Sequence, residues 1–298
     1  MPSHPSPLRY PGGKHSLAPL LADVLVCNQL HDGTIIEPFA GGAGASLRLM
    51  FDEIVSQLVL NDADPRLYAF WRAVLNQTEQ LVRLIETTPL TMEQWQKCSA
   101  VYNSAPSRTR QLDLAFAVFY LNRCNRSGIL MGGGPIGGHE QAGKWKLSAR
   151  FNRTELISRI RRIAEYRDRI SVSRLDARDL LEKIHNPAER LLVFLDPPYY
   201  QKGQRLYLNA LDHKDHQDLA ELLLSSPPFH WVLTYDDAEP IRKLYKTLHP
   251  RPLKLAYSAY KRRVGHELII FDPRLKIPEY LLSSDDPMCL GFSSADTP

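Results

Sequence analysis

The chain has 298 residues, of which 44% are hydrophobic, and a formal net charge of +4. This length and apolar content predict a globular protein with a sizeable core, in one large domain or two smaller ones. No stretch approaches the ~18 apolar residues that a membrane span needs, and the first residues lack the apolar core of a signal peptide. The four cysteines are scattered without metal-ligand spacing, which predicts reduced thiols, no metal site and a cytoplasmic protein.

The first predicted elements are a loop rich in proline and glycine at residues 7–14 and a helix at residues 15–26. The helix carries leucine and valine at helical spacing. The Gly-Gly-Lys segment is not a phosphate-binding loop, because it lacks the upstream glycine and the preceding strand of that motif. On its own, the loop is more simply a flexible connection than a cover over a ligand with Lys14 as its charged contact.

A glycine-rich turn at residues 39–42 follows a short apolar strand at residues 34–37 and leads into a predicted helix at residues 43–51. Glycines let a ligand approach the backbone closely, and a helix N-terminus offers free N–H groups. The next predicted strand, residues 57–60, leads to Asp62. An acid about twenty residues after such glycines is placed to accept both hydroxyls of a ribose. Together these features predict an adenosine-containing cofactor.

Residues 72–158 interrupt the alternation of strands and helices with helical patterning and a glycine-rich stretch at 132–138. This segment carries eleven Lys and Arg against six Asp and Glu, a net charge of +5, so the rest of the chain is close to neutral. Charge alone favours the solvated face of a helical subdomain. Arginine, asparagine and glycine loops together can contact phosphates and read base edges, which favours nucleic-acid binding. The predicted contacts, which become DNA contacts if the resemblance given below holds, are Asn122, Arg123, Asn125, Arg126, Lys144, Lys146 and Arg150.

Alternation then resumes, and the predicted strands repeatedly finish in an acid. After a helix at residues 153–168, strands are predicted at 170–175, 191–195 and 230–235, with a final hairpin at 253–257 and 267–271. The strand-end acids are Glu37, Asp62, Asp176, Asp196 and Asp236. A row of acids along one edge of a mostly parallel sheet predicts a cleft there.

The most informative stretch is the apolar run at residues 191–195 and the four residues after it, Asp196-Pro197-Pro198-Tyr199. A continuous apolar run of this length suits a strand that is buried on both faces. The two prolines then forbid both helix and ladder hydrogen bonds, so the strand stops at Asp196. The result is a carboxylate, a rigid turn and an aromatic ring at the carboxyl end of a central strand, where ligands of open α/β sheets bind.

Five motifs stand in the order found in the Dam-type (class alpha) DNA adenine N6-methyltransferases, and the chain resembles that family from about residue 7 to residue 271. They are Pro-Gly-Gly-Lys at 11–14, Phe-Ala-Gly-Gly at 39–42, Asn-Asp at 61–62, Leu-Asn-Arg at 121–123 and Asp-Pro-Pro-Tyr at 196–199. The resemblance implies an α/β fold, a Rossmann-like S-adenosyl-methionine-dependent methyltransferase sheet of seven strands. It also implies an inserted, mainly helical target-recognition domain at 72–158, between catalytic parts at 1–71 and 159–278, with a flexible tail at 279–298.

The resemblance further implies the roles of the site residues. Tyr10 and Lys14 would touch the cofactor, S-adenosyl-L-methionine, and Asp62 would hold its ribose. The Asp196 carboxylate and the Pro197 carbonyl would accept hydrogen bonds from the target amine, while Tyr199 stacks on the flipped-out base. The catalytic set is thus Asp196, Pro197, Pro198 and Tyr199, and the cofactor-binding set is Tyr10, Lys14, Glu37, Phe39, Ala40, Gly41, Gly42, Asp62, Asp176 and Asp196.

The implied partner is double-stranded DNA, with association to the nucleoid when DNA is bound, and a cognate restriction endonuclease is compatible with the resemblance. The chain departs from many relatives after Leu-Asn-Arg, where it reads Cys-Asn-Arg-Ser-Gly-Ile instead of continuing into Phe-Asn-Gly. The resemblance therefore carries no recognition sequence. Two other functions stay open: methylation of an amine in RNA or in another planar molecule, and a catalytically silent DNA-binding module.

Overall fold

The computed structural model describes residues 4–9, 14–185, 187, 189–200, 211–257, 263–281 and 288–290. Within these ranges lie eight strands, which form one sheet in the order β3-β2-β1-β4-β5-β7-β6-β8. Their bounds are β1 Thr34–Glu37, β2 Gln57–Asn61, β3 Ile170–Ser173, β4 Leu191–Leu195, β5 His230–Asp236, β6 Arg251–Tyr257, β7 Arg263–Phe271 and β8 Met288–Leu290. The predicted cofactor contact Tyr10 lies outside the described residues.

Strands β1 to β5 are parallel, and β6 and β7 form the predicted antiparallel hairpin beside β5. The predicted strand at 170–175 ends two residues earlier, at Ser173. The sheet also has one strand more than the seven that the resemblance implies. The additional strand, β8, pairs parallel with β6, although it falls in the segment 279–298 that was predicted to be a flexible tail.

Strand β4 is buried along its whole length because helices cover both faces of the sheet. Leu192 and Phe194 point into one hydrophobic cluster, and Leu191, Val193 and Leu195 point into the other. Side chains alternate between the two faces of a strand, so a strand covered on both sides needs apolar residues at every position. This explains the unbroken apolar run at residues 191–195.

Ten α-helices lie in the described ranges. They are α1 Ala18–Cys27, α2 Gly44–Phe51, α3 Pro65–Asn76, α4 Thr78–Thr87, α5 Met92–Asn103, α6 Gln111–Cys124, α7 Arg153–Glu165, α8 Ala177–Glu182, α9 His213–Leu224 and α10 Glu239–Leu244. The predicted helix at 15–26 begins later, at Ala18, after a 3₁₀ turn, Lys14–Leu17. Among these helices, none is both long and apolar enough to cross a membrane.

In the sequence, helices α3 to α7 all lie between β2 and β3. They share one continuous hydrophobic cluster with α1, α2 and one face of the sheet. The domain limits predicted at residues 72 and 158 therefore fall inside continuous helices, α3 and α7. Helical periodicity predicts a helix but not where one domain gives way to another, so the extent of a target-recognition domain remains a proposal. The packing joins this helical segment firmly to the first half of the sheet.

Candidate active site

A cavity of about 830 Å³ opens at the carboxyl ends of β1, β2, β3 and β4. In the sheet, β2 and β3 lie on one side of β1, and β4 and β5 lie on the other, so the direction of strand order reverses at β1. Such a reversal leaves a crevice between the loops that follow the two central strands, here β1 and β4. The predicted glycine turn, Asp62, Asp176 and the Asp-Pro-Pro-Tyr segment all line this one cavity.

The turn after β1 is held against the end of β2 by backbone and side-chain hydrogen bonds. Gly41 has φ +45°, and its N–H donates to Oδ2 of Asp62 over 3.0 Å. The other oxygen of Asp62 accepts the N–H of Asp64 at 3.0 Å. Burial raises the pKa of Asp62 to about 7, although these two N–H donors act in the opposite direction. Asp62 is thus held in place at the wall of the cavity by two backbone N–H groups. Gly41, beside it, has no side chain to fill the adjoining space.

Asn61, which the sequence interpretation named in a motif but gave no role, ties the ends of three strands together. It is fully buried. Its Nδ2 donates to the carbonyls of Pro38 and Leu175, each at 3.0 Å. Its Oδ1 accepts the Ser173 hydroxyl at 2.8 Å and the Leu175 N–H at 2.9 Å. The only sequence signal is an amide at the end of an apolar strand, directly before the candidate ribose acid.

The remaining predicted cofactor residues line the same cavity in different environments. Asp176 is exposed at the rim, where its carboxylate caps α8 by accepting the Arg178 N–H at 2.8 Å. Glu37 is buried, and burial together with the nearby negative charge of Asp196 raises its pKa well above the ordinary range. No described residue donates a hydrogen bond to its Oε2. Phe39, Ala40 and Gly42 complete the wall on this side.

The predicted catalytic carboxylate, Asp196, sits where β4 ends. Its Oδ1 accepts the Thr234 hydroxyl at 2.8 Å and lies 3.2 Å from Nζ of Lys14. Burial raises the pKa of Asp196 to about 6, and the positive charge of Lys14 limits that rise. Oδ2 is left as the oxygen to which no described residue donates, so it is the one available to a ligand.

Lys14 lines the cavity and is also an ion-pair partner of two buried carboxylates. Its side chain is buried, and its Nζ lies 2.6 Å from Oε2 of Glu267 and 3.1 Å from the Tyr199 hydroxyl, as well as close to Asp196. Burial acts to lower the pKa of Lys14, but the two carboxylates raise it well above its usual value. The predicted contact between Lys14 and the cofactor stays a prediction.

Two predicted DNA contacts, Asn122 and Asn125, are buried and used inside the protein, which corrects their assignment. Asn122 accepts the N–H of Arg9 and donates to the carbonyl of the same residue, both at 2.7 Å. Asn125 accepts the Trp95 indole N–H at 2.7 Å and donates to the Ile129 carbonyl at 2.8 Å. The sequence shows that an amide lies in or just after a helix, but not that its side chain turns inward.

The other predicted DNA contacts have cationic side chains that reach solvent or the cavity. Arg126, Lys144, Lys146 and Arg150 are exposed. Arg123 and Arg150 line the cavity together with two arginines that the sequence interpretation missed, Arg9 and Arg159. Burial, with Arg9 and Arg159 close by, lowers the pKa of Arg123 to about 9. Like charges gathered in this way favour an anionic ligand.

Comparison with known proteins identifies the family. The model of the D12 class N6 adenine-specific DNA methyltransferases matches residues 10–262. The chain belongs to this family. Membership confirms the predicted α/β methyltransferase fold class and the predicted enzyme class, an adenine-specific DNA methyltransferase. It also implies DNA as substrate and use of S-adenosyl-methionine.

Two solved structures are similar to this D12 methyltransferase only at a distance. A dimethyladenosine transferase from Plasmodium falciparum shares 11% identity with a TM-score of 0.34, over 93% of this chain and 65% of that one. The rRNA methyltransferase AviRa from Streptomyces viridochromogenes shares 14% identity with a TM-score of 0.33, over 85% and 84%. No curated protein matches the chain. Among the residues described here, no group of His, Cys, Asp or Glu is arranged to hold a metal ion.

Proposed function

We propose that this D12 methyltransferase is a site-specific enzyme of the Dam type (class alpha). It would transfer a methyl group from S-adenosyl-methionine to the exocyclic amine of a flipped-out adenine in double-stranded DNA. The observation that carries the proposal is the position of Asp196, at the carboxyl end of β4 in the same cavity as Asp62. A cognate restriction endonuclease and association with the nucleoid belong to the same proposal, supported by the family alone.

The residues on the β1 and β2 side of the cavity fit the cofactor. Asp62 is a carboxylate fixed by two backbone N–H groups, which suits the two hydroxyls of a ribose, and Gly41 has no side chain to obstruct the approach. Asp176 at the rim would lie beside the adenine, with Phe39 and Glu37 lining the wall between. S-adenosyl-methionine, when bound, supplies a methyl group activated by a positively charged sulfur.

The residues at the end of β4 suit the target amine. The exocyclic nitrogen of adenine is a weak nucleophile because its lone pair is delocalised into the ring. Asp196 Oδ2 and the Pro197 carbonyl would accept its two N–H bonds and so favour a nitrogen whose lone pair points toward the methyl donor. Catalysis then rests on positioning and electrostatic support rather than on a covalent intermediate.

The base must leave the duplex to reach such a cavity, and the ring of Tyr199 would replace part of the lost stacking. The cations around the cavity mouth would hold the neighbouring backbone, because arginine donates well to phosphate oxygens. Arg9 and Arg159 join the predicted contacts Arg123 and Arg150 in this role. Lys144, Lys146 and Arg126 extend the positive surface outward.

Replacing Arg126 or Arg150 with alanine is expected to weaken DNA binding while cofactor binding stays unchanged. Each phosphate contact that is lost should reduce the slope of log affinity against log salt by about 0.9. Fluorescence anisotropy with labelled duplex at several salt concentrations measures both quantities. The matched control is Arg48→Ala, because Arg48 is a partly exposed arginine that pairs with Asp52 near the end of α2 and does not line the cavity. Unchanged affinity and salt slope in both variants would contradict the role of this surface.

The rate of methyl transfer is expected to fall as the pH drops through about 6. Asp196 must be ionised to accept from the amine, and burial raises its pKa to about 6. Activity is therefore present above that pH and lost below it, by about tenfold for each pH unit. Single-turnover rates between pH 5 and 8 measure the profile. A flat profile over this range would contradict the assigned role of the Asp196 carboxylate.

A further inference from the structure

Glu267 is a buried acid in the middle of the sheet, on a strand with no predicted function. It lies on β7, opposite Asp236 of β5 and Leu253 of β6, and only 2% of its surface is exposed. The four residues that follow it, 268–271, are apolar and buried. A carboxylate in such a place is costly unless it is paired and hydrogen-bonded, so its partners indicate why it is there.

The partners of Glu267 are residues of the candidate active site. Oε2 accepts from Nζ of Lys14 at 2.6 Å, and Oε1 accepts from the Tyr199 hydroxyl. Lys14 in turn lies 3.1 Å from the Tyr199 hydroxyl and 3.2 Å from Oδ1 of Asp196. The network thus joins the 3₁₀ turn before α1, the end of β4 and the middle of β7, and it includes two of the four predicted catalytic residues.

This network fixes the two groups that would meet the base. The hydroxyl of Tyr199 is held by Glu267 and Lys14, which restricts rotation of the ring that would stack on adenine. Oδ1 of Asp196 is occupied by Thr234 and Lys14, which leaves Oδ2 as the oxygen to which no described residue donates. If Glu267 were neutral, Lys14 would keep Asp196 as its one charged partner in this network, and the phenol would donate to a weaker, uncharged acceptor.

We infer that Glu267 is a positioning residue for methyl transfer, which holds Lys14 and Tyr199 so that the Tyr199 ring and Oδ2 of Asp196 present a fixed surface to the target base. The inference rests on the proposed function, in which Asp196 contacts the amine. The competing interpretation is that the Glu267–Lys14 pair only anchors the N-terminal segment to the sheet. The two interpretations differ in the rate of methyl transfer that they predict when Glu267 is neutral.

The test is Glu267→Gln in the full chain, measured by single-turnover transfer to duplex DNA and by binding of S-adenosyl-methionine. The rate is expected to fall about 10- to 100-fold, because the base would be misplaced by a fraction of an ångström. Cofactor affinity should stay unchanged, because Glu267 does not line the cavity. The matched control is Asp272→Asn, which neutralises another buried, paired carboxylate directly after β7 without touching this network.

The plateau of the pH–rate profile separates positioning from anchoring. Asp196 is faced by Lys14, Glu37, Tyr199, Tyr235 and Glu267, and among these Glu267 raises its pKa whereas Lys14 lowers it. Removing the negative charge of Glu267 should therefore move the acid limb of the rate profile to lower pH under either interpretation. Positioning also lowers the plateau rate above that limb, whereas anchoring alone leaves the plateau rate at the wild-type level. An unchanged plateau rate would overturn the inference.

The single variant Tyr199→Phe keeps the inference testable even if Glu267→Gln folds poorly, and a double-mutant cycle combines the two changes. Removing the phenol hydroxyl should lower the rate in the wild-type background, and it should have little further effect when Glu267 is already neutral. Additive losses would overturn the inference, and so would a wild-type rate in Tyr199→Phe. The wild-type rate on DNA in the same assay reports on the proposed function itself, whereas the ratios between variants report on Glu267.

Discussion

Asp196→Ala is expected to lower the rate of methyl transfer by about 10²- to 10⁴-fold while S-adenosyl-methionine still binds. The substitution removes a carboxylate that lines the cavity, and with it the acceptor that the target amine would require. Cofactor binding is expected to persist because Asp62, the candidate ribose ligand, follows a different strand. Single-turnover transfer to DNA and calorimetric titration with the cofactor measure the two effects separately.

Asp62→Ala serves as the matched control for Asp196→Ala, because it removes the other half-buried carboxylate of the same cavity. It should weaken cofactor binding first, and saturating cofactor should restore part of the rate. Asp196→Ala should show the opposite pattern. Transfer near the wild-type rate in Asp196→Ala would remove Asp196 from the mechanism.

Asn61→Ala is expected to lower the free energy of unfolding by about 3 to 5 kcal/mol, because it leaves several buried polar groups without partners. The Pro38 and Leu175 carbonyls lose a donor, and the Ser173 hydroxyl and Leu175 N–H lose an acceptor. Urea unfolding of the full chain measures the change. A truncation confined to the surface, Asn103→Ala, controls for loss of an asparagine side chain that, among the described residues, donates to Ser99 alone.

The same Asn61 variant should also bind S-adenosyl-methionine more weakly, since Asn61 holds the turn after β1 and the loop after β3 on either side of Asp62. A loss of stability below about 1 kcal/mol would place Asn61 among ordinary buried amides. It would then have no special part in shaping the cavity.

The sheet was predictable from sequence because its strands follow simple rules. A strand covered on both faces must be apolar throughout, as at 191–195, and a pair of prolines must end it, as at Pro197. Glycine at a turn and an acid at the end of the next strand sit side by side in space, so Gly41 and Asp62 could be placed together before their hydrogen bond was known. These are local signals, and the fold confirms the strands that they predict.

The network around Glu267 was not predictable, because its members are far apart in the chain. Lys14 and Glu267 are separated by 253 residues, and nothing local in either segment indicates the other. Asn122 and Asn125 show the reverse difficulty. Both lie at the end of α6, and only their hydrogen bonds to Arg9 and Trp95 show that the two amides turn inward.

The predicted domain limits at residues 72 and 158 do not coincide with the ends of helices, for a related reason. Residues 72 and 158 mark changes in composition and charge, whereas the packing follows whole helices, and α3 and α7 continue across both positions. Hydrophobic periodicity reports which face of a helix is buried but not which neighbour buries it. Helices α3 and α7 pack against one face of the sheet and share its hydrophobic core.

The central claim, methyl transfer to adenine in DNA, is tested most directly by incubating the protein with labelled S-adenosyl-methionine and unmethylated genomic DNA, then sequencing the product to locate modified bases. The proposed function predicts label in adenine, confined to one short sequence motif, and no label with Asp196→Ala. Cofactor binding without any label in DNA would contradict the claim and direct attention to RNA or another amine. Absence of both label and cofactor binding would indicate a protein that keeps the methyltransferase fold without its chemistry.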